Sequence, residues 1–437
     1  MTSDNSRGPI AFLTGEYPRA TDTFIQREVA GLRAQGLDVL TCSVRRTDPS
    51  QQVSAFQRAE AAATFHVLET AKSPLRLARA HLGWIARAPG RWARALGLAA
   101  RTAPPGLKGG LWQLFYFLEA GVLAEHMRRS GAVWLHHHFA DSSGSVALLA
   151  AEIADLPRSF TLHGPAEFHA PETWRLDVKI ARARFVACIS HFARSQCMLF
   201  SAREHWGKLR IVHCGVEPAA YAPAPGRSPG KRAVFVGRLA PEKGLTVLLE
   251  AFATLRARHP EAELALIGDG PSRADIEAEI ARGGFGEAVK ILGFLPPEAV
   301  AAELSRADLL VLPSFAEGLP VVLMEALATG IPALATRIAA VEELVEPEVS
   351  GLTVAPGDAA GLAAAMDRLL SDPELRARMG EAGRAKVAAE FDVAQETAWL
   401  AALIRGGLAG RLPEGLRPPA TPASAPPRTP GPGAPRA

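Results

Sequence analysis

The sequence predicts an α/β protein of two doubly wound parallel-sheet domains that face each other across a cleft. Three observations carry that expectation. Short apolar strand candidates alternate with helical patterns from residue 9 to residue 354, and alternation on that scale implies parallel sheets with helices on both faces. A Pro- and Gly-rich run, "EPAAYAPAPGRSPGK" (217–231), splits the series in two and reads as a linker. With 437 residues, 48% hydrophobic and 21% charged, the chain is long enough to bury two ordinary cores.

The first series opens with a strand at 9–15 ("PIAFLTG"), a helix at 23–36 ("TFIQREVAGLRAQG") and a strand at 37–44, a strand–helix–strand unit of the usual length. Further strands are expected at 132–140, 159–164, 184–190 and 209–216. After the linker, strands are expected at 232–237, 263–268, 288–292, 308–312, 332–335 and 351–354. Residues 373–405 read as helix. The resulting division is 1–218 for the first domain, with a basic helical insertion at about 70–118, 219–231 for the linker and 232–385 for the second domain. A C-terminal helix at 386–405 is expected to pack back on the first domain, followed by a disordered Pro-rich tail at 406–437.

Composition removes several classes. No run approaches the roughly 20 apolar residues of a membrane-spanning helix, and the polar start "MTSDNSRGP" does not read as a signal peptide. Cys42, Cys188, Cys197 and Cys214 form no C-x-x-C pair, so reduced thiols in a cytoplasm are expected. The net charge of +3 is uneven: Lys72, Arg76, Arg79, Arg87, Arg91, Arg94, Arg101 and Lys108 lie between Thr70 and Leu118 with no acidic residue among them. The positive charge is local, which argues against general nucleic-acid binding.

Two stretches carry candidate chemistry. In "VFVGRLAPEKGL" (234–245) a strand ends at Gly237, Arg238 sits in the turn, and Lys243-Gly244 opens a helix. Two cations five residues apart beside free backbone N–H groups suit a diphosphate; the loop is not a Walker A motif. In "SFAEGLPVVLMEALATGIPAL" (314–334), Glu317 and Glu325 flank an apolar helix expected to start at Pro320, a favoured first-turn residue. Gly318 allows close approach to the backbone, and the carboxylates can accept hydrogen bonds from neutral hydroxyls. Each stretch alone has an ordinary reading, as solvated surface or as a cap and a salt bridge.

Together, "EGLPVVLMEA" and "GRLAPEKG" resemble the E-x7-E motif and diphosphate loop of retaining glycosyltransferases of family 4. "VHCGVEPAAYAP", "LIGDGP", "ILGFLP" and "GLTVAPGD" match that family's pattern in order, so the resemblance covers nearly all of residues 9–404. It implies a GT-B fold, with an acceptor-binding N-terminal domain and a nucleotide-sugar-binding C-terminal domain. It also implies transfer of a hexosyl group from a UDP- or GDP-sugar with retained anomeric configuration. By the same resemblance Arg238 and Lys243 neutralise the diphosphate, Glu325 holds the ribose hydroxyls, Glu317 holds the donor sugar, and the amides of Gly318 and Leu319 assist. No cofactor or obligatory metal is implied, and no D-x-D occurs.

The N-terminal half refines the subtype. "SFTLHGPAEF" ends a strand with His163, where the family carries a functional histidine near the donor sugar. Relatives often have an aspartate soon after it; here the first acid is Glu167, four residues on, so no acid role transfers. "RIAAVEELV" has Ala340 and Glu342 where relatives often have Gly and Pro, with Glu343 in place. "EYPRATDTFIQREVAGLRAQG" is similar to exopolysaccharide and colanic-acid-type members and places Thr23 and Arg27 on the acceptor side. In "LHHHFAD", His136 and His138 share a strand face, but zinc needs a third ligand that the sequence does not supply, so no metal site is expected.

The arginines of 70–118 mix with Trp84, Trp92 and Trp112, a composition suited to helices on an anionic membrane surface. The implied partners are a nucleotide-sugar donor, a lipid-linked or oligosaccharide acceptor and that surface, on the cytoplasmic face of an inner membrane. Two rivals stand beside this reading. A nicotinamide-dependent oxidoreductase lacks G-x-G-x-x-G after its first strand. A non-catalytic nucleotide-sugar-binding component of an assembly complex would not need the full Arg238, Lys243, Glu317 and Glu325 set.

Overall fold

The structure is a computed structural model that describes residues 8–224 and 230–418. All thirteen strands are parallel to their neighbours. The first sheet holds β1 (Ile10–Glu16), β2 (Val39–Arg45), β3 (Phe65–His66), β4 (Trp134–His138), β5 (Arg158–Leu162), β6 (Phe185–Cys188) and β7 (Leu209–Ile211). The second holds β8 (Arg232–Val236), β9 (Glu263–Ile267), β10 (Val289–Gly293), β11 (Leu309–Leu312), β12 (Ala333–Thr336) and β13 (Gly351–Val354). Their orders, β3-β2-β1-β4-β5-β6-β7 and β10-β9-β8-β11-β12-β13, reverse direction at the β1/β4 and β8/β11 neighbours. Each sheet therefore opens a crevice beyond the carboxyl ends of its strands at that switch point.

Every strand expected from the sequence is present. β3 was not expected, because a two-residue edge strand has no period to detect. The expected insertion is three helices, Pro74–Arg87, Pro89–Thr102 and Leu107–Ser130, that pack on one another and on the helix Ser142–Ala154, which lies against β1, β4 and β5. Trp84, Ala95, Leu98 and Phe117 are buried there, while Arg87, Arg91 and Arg94 pair with Glu125, Asp155 and Glu152. Three of the eight basic residues in that stretch are thus met by acids outside it. No helix among the described residues is long and apolar enough to cross a membrane.

The C-terminus departs from expectation in two ways. The helix expected over 373–405 is two helices, Pro373–Glu390 and Val393–Leu408, broken where the Asp392 carboxylate caps the second by accepting the Ala394 N–H at 2.7 Å. The first stays on the second domain: Gly380 and Gly383 abut Gly330 and Leu327 of the helix Val321–Thr329. The second crosses to the first sheet, burying Trp399, Leu400, Leu403 and Ile404 against Ile10, Phe12 and Trp134 beside the helix Thr23–Ala34. The tail also starts later than expected. The Ile211 N–H donates to the Leu416 carbonyl at 3.0 Å and Arg417 pairs with Glu396, which ties residues up to 418 to the first domain. The remainder of the expected tail, like linker residues 225–229, lies outside the described residues.

Candidate active site

The two loops expected to hold a diphosphate and a sugar meet at the carboxyl ends of β8 and β11. After β8, a 3-10 turn over Pro241–Lys243 hands over to the helix Leu245–Arg256 at Gly244. Gly244 has φ +65, and a Cβ there would lie 2.1 Å from the Pro313 carbonyl oxygen, so only glycine lets this turn press against the end of β11. The Phe315 N–H donates to the Glu242 carbonyl at 2.8 Å and ties the loops together. Lys243 Nζ then donates to Glu317 Oε1 at 2.6 Å, and Ser314 Oγ donates to the same oxygen at 2.7 Å. The carboxylate is nearly buried, at 11% side-chain exposure. Arg238, 60% exposed, turns outward to Glu242.

The helix carrying the second carboxylate runs Val321–Thr329 and ends at Gly330, φ 82. It starts one residue later than expected, because Pro320 is extended and stands outside the helix as its N-cap. Glu325 faces the other domain: Arg27 Nη2 reaches its Oε1 at 2.7 Å and the Tyr221 hydroxyl donates to the same oxygen at 2.9 Å. Arg27, expected on the acceptor side, therefore sits on the carboxylate expected to hold the ribose. Sequence reasoning gave Tyr221 no role, although it lies within the "VHCGVEPAAYAP" stretch that matches the family's pattern.

The domains touch at two further points. A Cβ on Gly318 would lie 2.0 Å from the His163 carbonyl oxygen, and one on Gly164, φ 148, would lie 2.9 Å from Gly318 Cα. The loops after β5 and β11 thus meet glycine to glycine. Glu343 accepts the N–H groups of His191 and Phe192, both at 2.8 Å, and caps a first-domain helix from the second domain.

His163 lies against Phe24, ring centroids 4.8 Å apart, in the helix that begins at Thr23. Its Nε2 is 2.7 Å from His138 Nδ1, and its carbonyl faces Gly318. Glu167, which carried no role in the sequence reading, pins this loop: its carboxylate accepts the N–H groups of His163 and Gly164 at 2.7 and 3.1 Å and that of Ala140. Lys179 holds the adjoining turn by donating to the Ala140 and Asp141 carbonyls at 2.6 and 3.0 Å. Burial, offset by Asp141, pulls its ammonium down to about 7.

Glu28 supplies the third donor that the histidine strand lacked in sequence. Its Oε1 is 3.2 Å from His138 Nε2 and 3.8 Å from His136 Nε2, and candidate ligand atoms of the three residues lie within 4.8 Å of one another. Both ring nitrogens of His136, however, are engaged by the hydroxyls of Ser159 and Thr161 at 2.8 and 3.0 Å. Two uncommitted donors remain, short of the three protein ligands zinc takes in catalytic sites. Burial pushes Glu28 up to about 7 and His136 and His138 down to about 3.

Two Rossmann-like domains that meet over paired cation and carboxylate loops make up the GT-B fold. Sucrose-phosphate synthase from Thermosynechococcus elongatus superimposes with a TM-score of 0.68 at 22% identity, over 92% of this chain and 100% of that one. Anabaena HepE in complex with UDP-glucose superimposes with a TM-score of 0.67 at 19% identity, over 92% and 100%. A family model described as glycosyl transferases group 1 matches residues 224–386. The D-inositol 3-phosphate glycosyltransferase of Corynebacterium efficiens is 30% identical over 293 residues, 60% of this chain and 69% of that protein. The amylovoran biosynthesis glycosyltransferase AmsK of Erwinia amylovora is 28% identical over 422 residues, 88% and 96%. The alpha-D-kanosaminyltransferase of Streptomyces kanamyceticus is 36% identical over 172 residues, and the chain spans 45% of its length. The chain belongs to the group 1 glycosyl transferases.

Proposed function

We propose that this protein transfers a hexosyl group from a UDP- or GDP-sugar, with retention, to a glycan or polyprenyl-diphosphate-linked acceptor in bacterial exopolysaccharide biosynthesis. The observation that carries the reading is the Lys243–Glu317 pair, 2.6 Å long, formed where the β8 and β11 loops meet at the switch point of the second sheet. A diphosphate arriving there takes Lys243, with Arg238 swinging in from the rim, and leaves Glu317 for the hydroxyls of the donor sugar. Developing charge on the leaving diphosphate is then met by fixed cations and backbone amides, including those of Gly318 and Leu319, with no obligatory metal. Glu325 takes the ribose once Arg27 yields, and His163 stands across the closed seam from Gly318, against Phe24, which follows Thr23 on the acceptor side. The AmsK similarity over most of both chains supports the polymer class.

A thermal-shift screen of UDP- and GDP-sugars tests the donor. Saturation at about 100 times Kd stabilises by about 2.7 kcal/mol. Turnover of the stabilising sugar should largely vanish in Glu317→Ala and Lys243→Ala; near-normal turnover in either overturns the site.

The same reading places the first domain on an anionic membrane. Leu107, 96% exposed, heads a helix that also exposes Leu111, Trp112, Leu114 and Phe115, with Lys108 among them. Trp84 is core and Trp92 donates to His81 at 3.0 Å, so Trp112 is the tryptophan of the three that is available for insertion. Salt-sensitive binding to anionic vesicles is expected, and its absence refutes this part.

A further inference from the structure

Behind His163 runs a line of buried groups that the proposed chemistry does not use. Glu28 lies on the same helix as Arg27 but points into the first sheet, where its Oε1 stands 3.2 Å from His138 Nε2. His138 Nδ1 is 2.7 Å from His163 Nε2, and His163 Nδ1 is 3.7 Å from Cys214 Sγ. Phe12 packs at a tilt against His138, and Phe24 and Phe139 flank His163, so the line is walled by aromatic rings. We propose that Glu28 is a positioning residue for His163: acting through His138, its carboxyl sets which ring nitrogen of His163 carries the proton.

Hydrogen-bond direction dictates the coupling. Two neutral imidazoles at 2.7 Å need one N–H and one bare nitrogen between them. With Glu28 ionised, its charge 3.2 Å away holds the proton on His138 Nε2, although neither atom completes a hydrogen bond there. His138 Nδ1 is then bare and accepts from His163 Nε2–H, which leaves His163 Nδ1 as an acceptor. A proton that binds at His163 Nδ1 reverses the line. The Nε2 proton of His163 passes to His138 Nδ1, the Nε2 proton of His138 passes to Glu28, and His163 now presents Nδ1–H. One proton has entered at His163 Nδ1, on the side of Cys214, and one rests on the buried carboxyl, with both rings neutral before and after.

The surroundings favour this route over an imidazolium. Around Glu28 and His163 stand His136 and His138 from β4, Glu167 after β5, Cys214 after β7, and Glu396 from the C-terminal helix. Burial holds His163 well below the usual imidazole range, whereas Glu28 is pushed up to about 7. Within the line, burial therefore disfavours a charge on either ring more than a proton on the Glu28 carboxyl.

The proposal rests on the assignment of His163 to the site, and its main test is independent of any donor. The full chain is labelled with ¹⁵N-histidine, and the His163 signals are identified by their loss in His163→Ala. As pH falls through about 7, the His163 Nδ1 resonance should move from a bare to a protonated nitrogen. In Glu28→Gln, and in His138→Gln should the first variant fail to fold, the tautomer should stay fixed across that range. A transition that persists in a folded variant overturns the proposal. So does stoichiometric zinc in the purified protein whose chelation reproduces the shift. UDP-glucose hydrolysis supplies the second readout: Glu28→Gln should lower kcat about 10-fold with KM unchanged, the effect of a one-unit shift in the protonation equilibrium of His163. An unchanged kcat overturns the positioning role. Full turnover in His163→Ala defeats the site assignment instead, while the tautomer coupling still stands or falls on the spectra.

Discussion

Replacing Gly318 by Ala adds a single methyl group to the seam between the domains. Built on the present backbone, that carbon lies 2.0 Å from the His163 carbonyl oxygen and 3.3 Å from Gly164 Cα. Ordinary contact begins near 3.4 Å, so the loops must part by about 1.4 Å. The obstacle is backbone on both sides, so no side chain can swing away. Overpacking of this kind costs about 1–3 kcal/mol, and a unit of 150–250 residues loses roughly 2–4 °C for each kcal/mol. Because the strained atoms belong to different domains, much of the effect should appear as loss of the closed arrangement. The assay is a thermal melt of wild type and Gly318→Ala with and without UDP. A lowered Tm, or an unchanged Tm with a UDP-induced shift cut by more than half, is expected. A variant with wild-type Tm and wild-type UDP shift would refute the reasoning, since it would mean the seam opens freely in solution.

Three further outcomes follow from other contacts. Lys243→Met leaves Glu317 nearly buried beside Ser314 alone and should destabilise by about 1–3 kcal/mol, whereas Lys243→Met with Glu317→Gln should recover most of that loss; urea titration of the single and double variants measures the coupling. Hydrogen bonds from Arg128 and Arg129, with the Arg87 charge, hold Glu125 down to about 2. Its folded value is depressed, so its contribution is present above about 4.5 and fades as pH falls toward 2; a Glu125→Gln variant should show a flatter stability profile over that window. Trp112→Ser with Phe115→Ser should weaken sedimentation with anionic vesicles at least tenfold while leaving Tm within about 1 °C, because both side chains are exposed.

The strand series, the helices between them and the glycine-bound turns could be read from the sequence, because each is written in local periodicity and in residues with restricted backbones. The same holds for Lys243 and Glu317, whose loops follow consecutive signals of strand, turn and helix. What could not be read was partnership across hundreds of residues. Glu325 meets Arg27 and Tyr221 only because the domains close, and Glu28 meets His138 only because β1 and β4 are neighbours at the switch point. A helical glutamate one position after an arginine looks like a surface pair in sequence; here the two residues serve opposite walls. The break at Phe391-Asp392 was hidden for a different reason, since helix-forming residues lie on both sides of it.

The C-terminal helix sets an order on how this protein can be made. Trp399, Leu400, Leu403 and Ile404 complete the face of the first sheet that Ile10 and Trp134 leave bare, and Leu416 pairs with Ile211 at its edge. The domain that leaves the ribosome first therefore lacks a wall until the helix Val393–Leu408 emerges. A gene fragment ending at the linker should yield an aggregating product, and one restarting there should be more soluble when it stops at Glu390, before the helix whose apolar face the first sheet covers. The two lobes are separable in architecture but not in biogenesis.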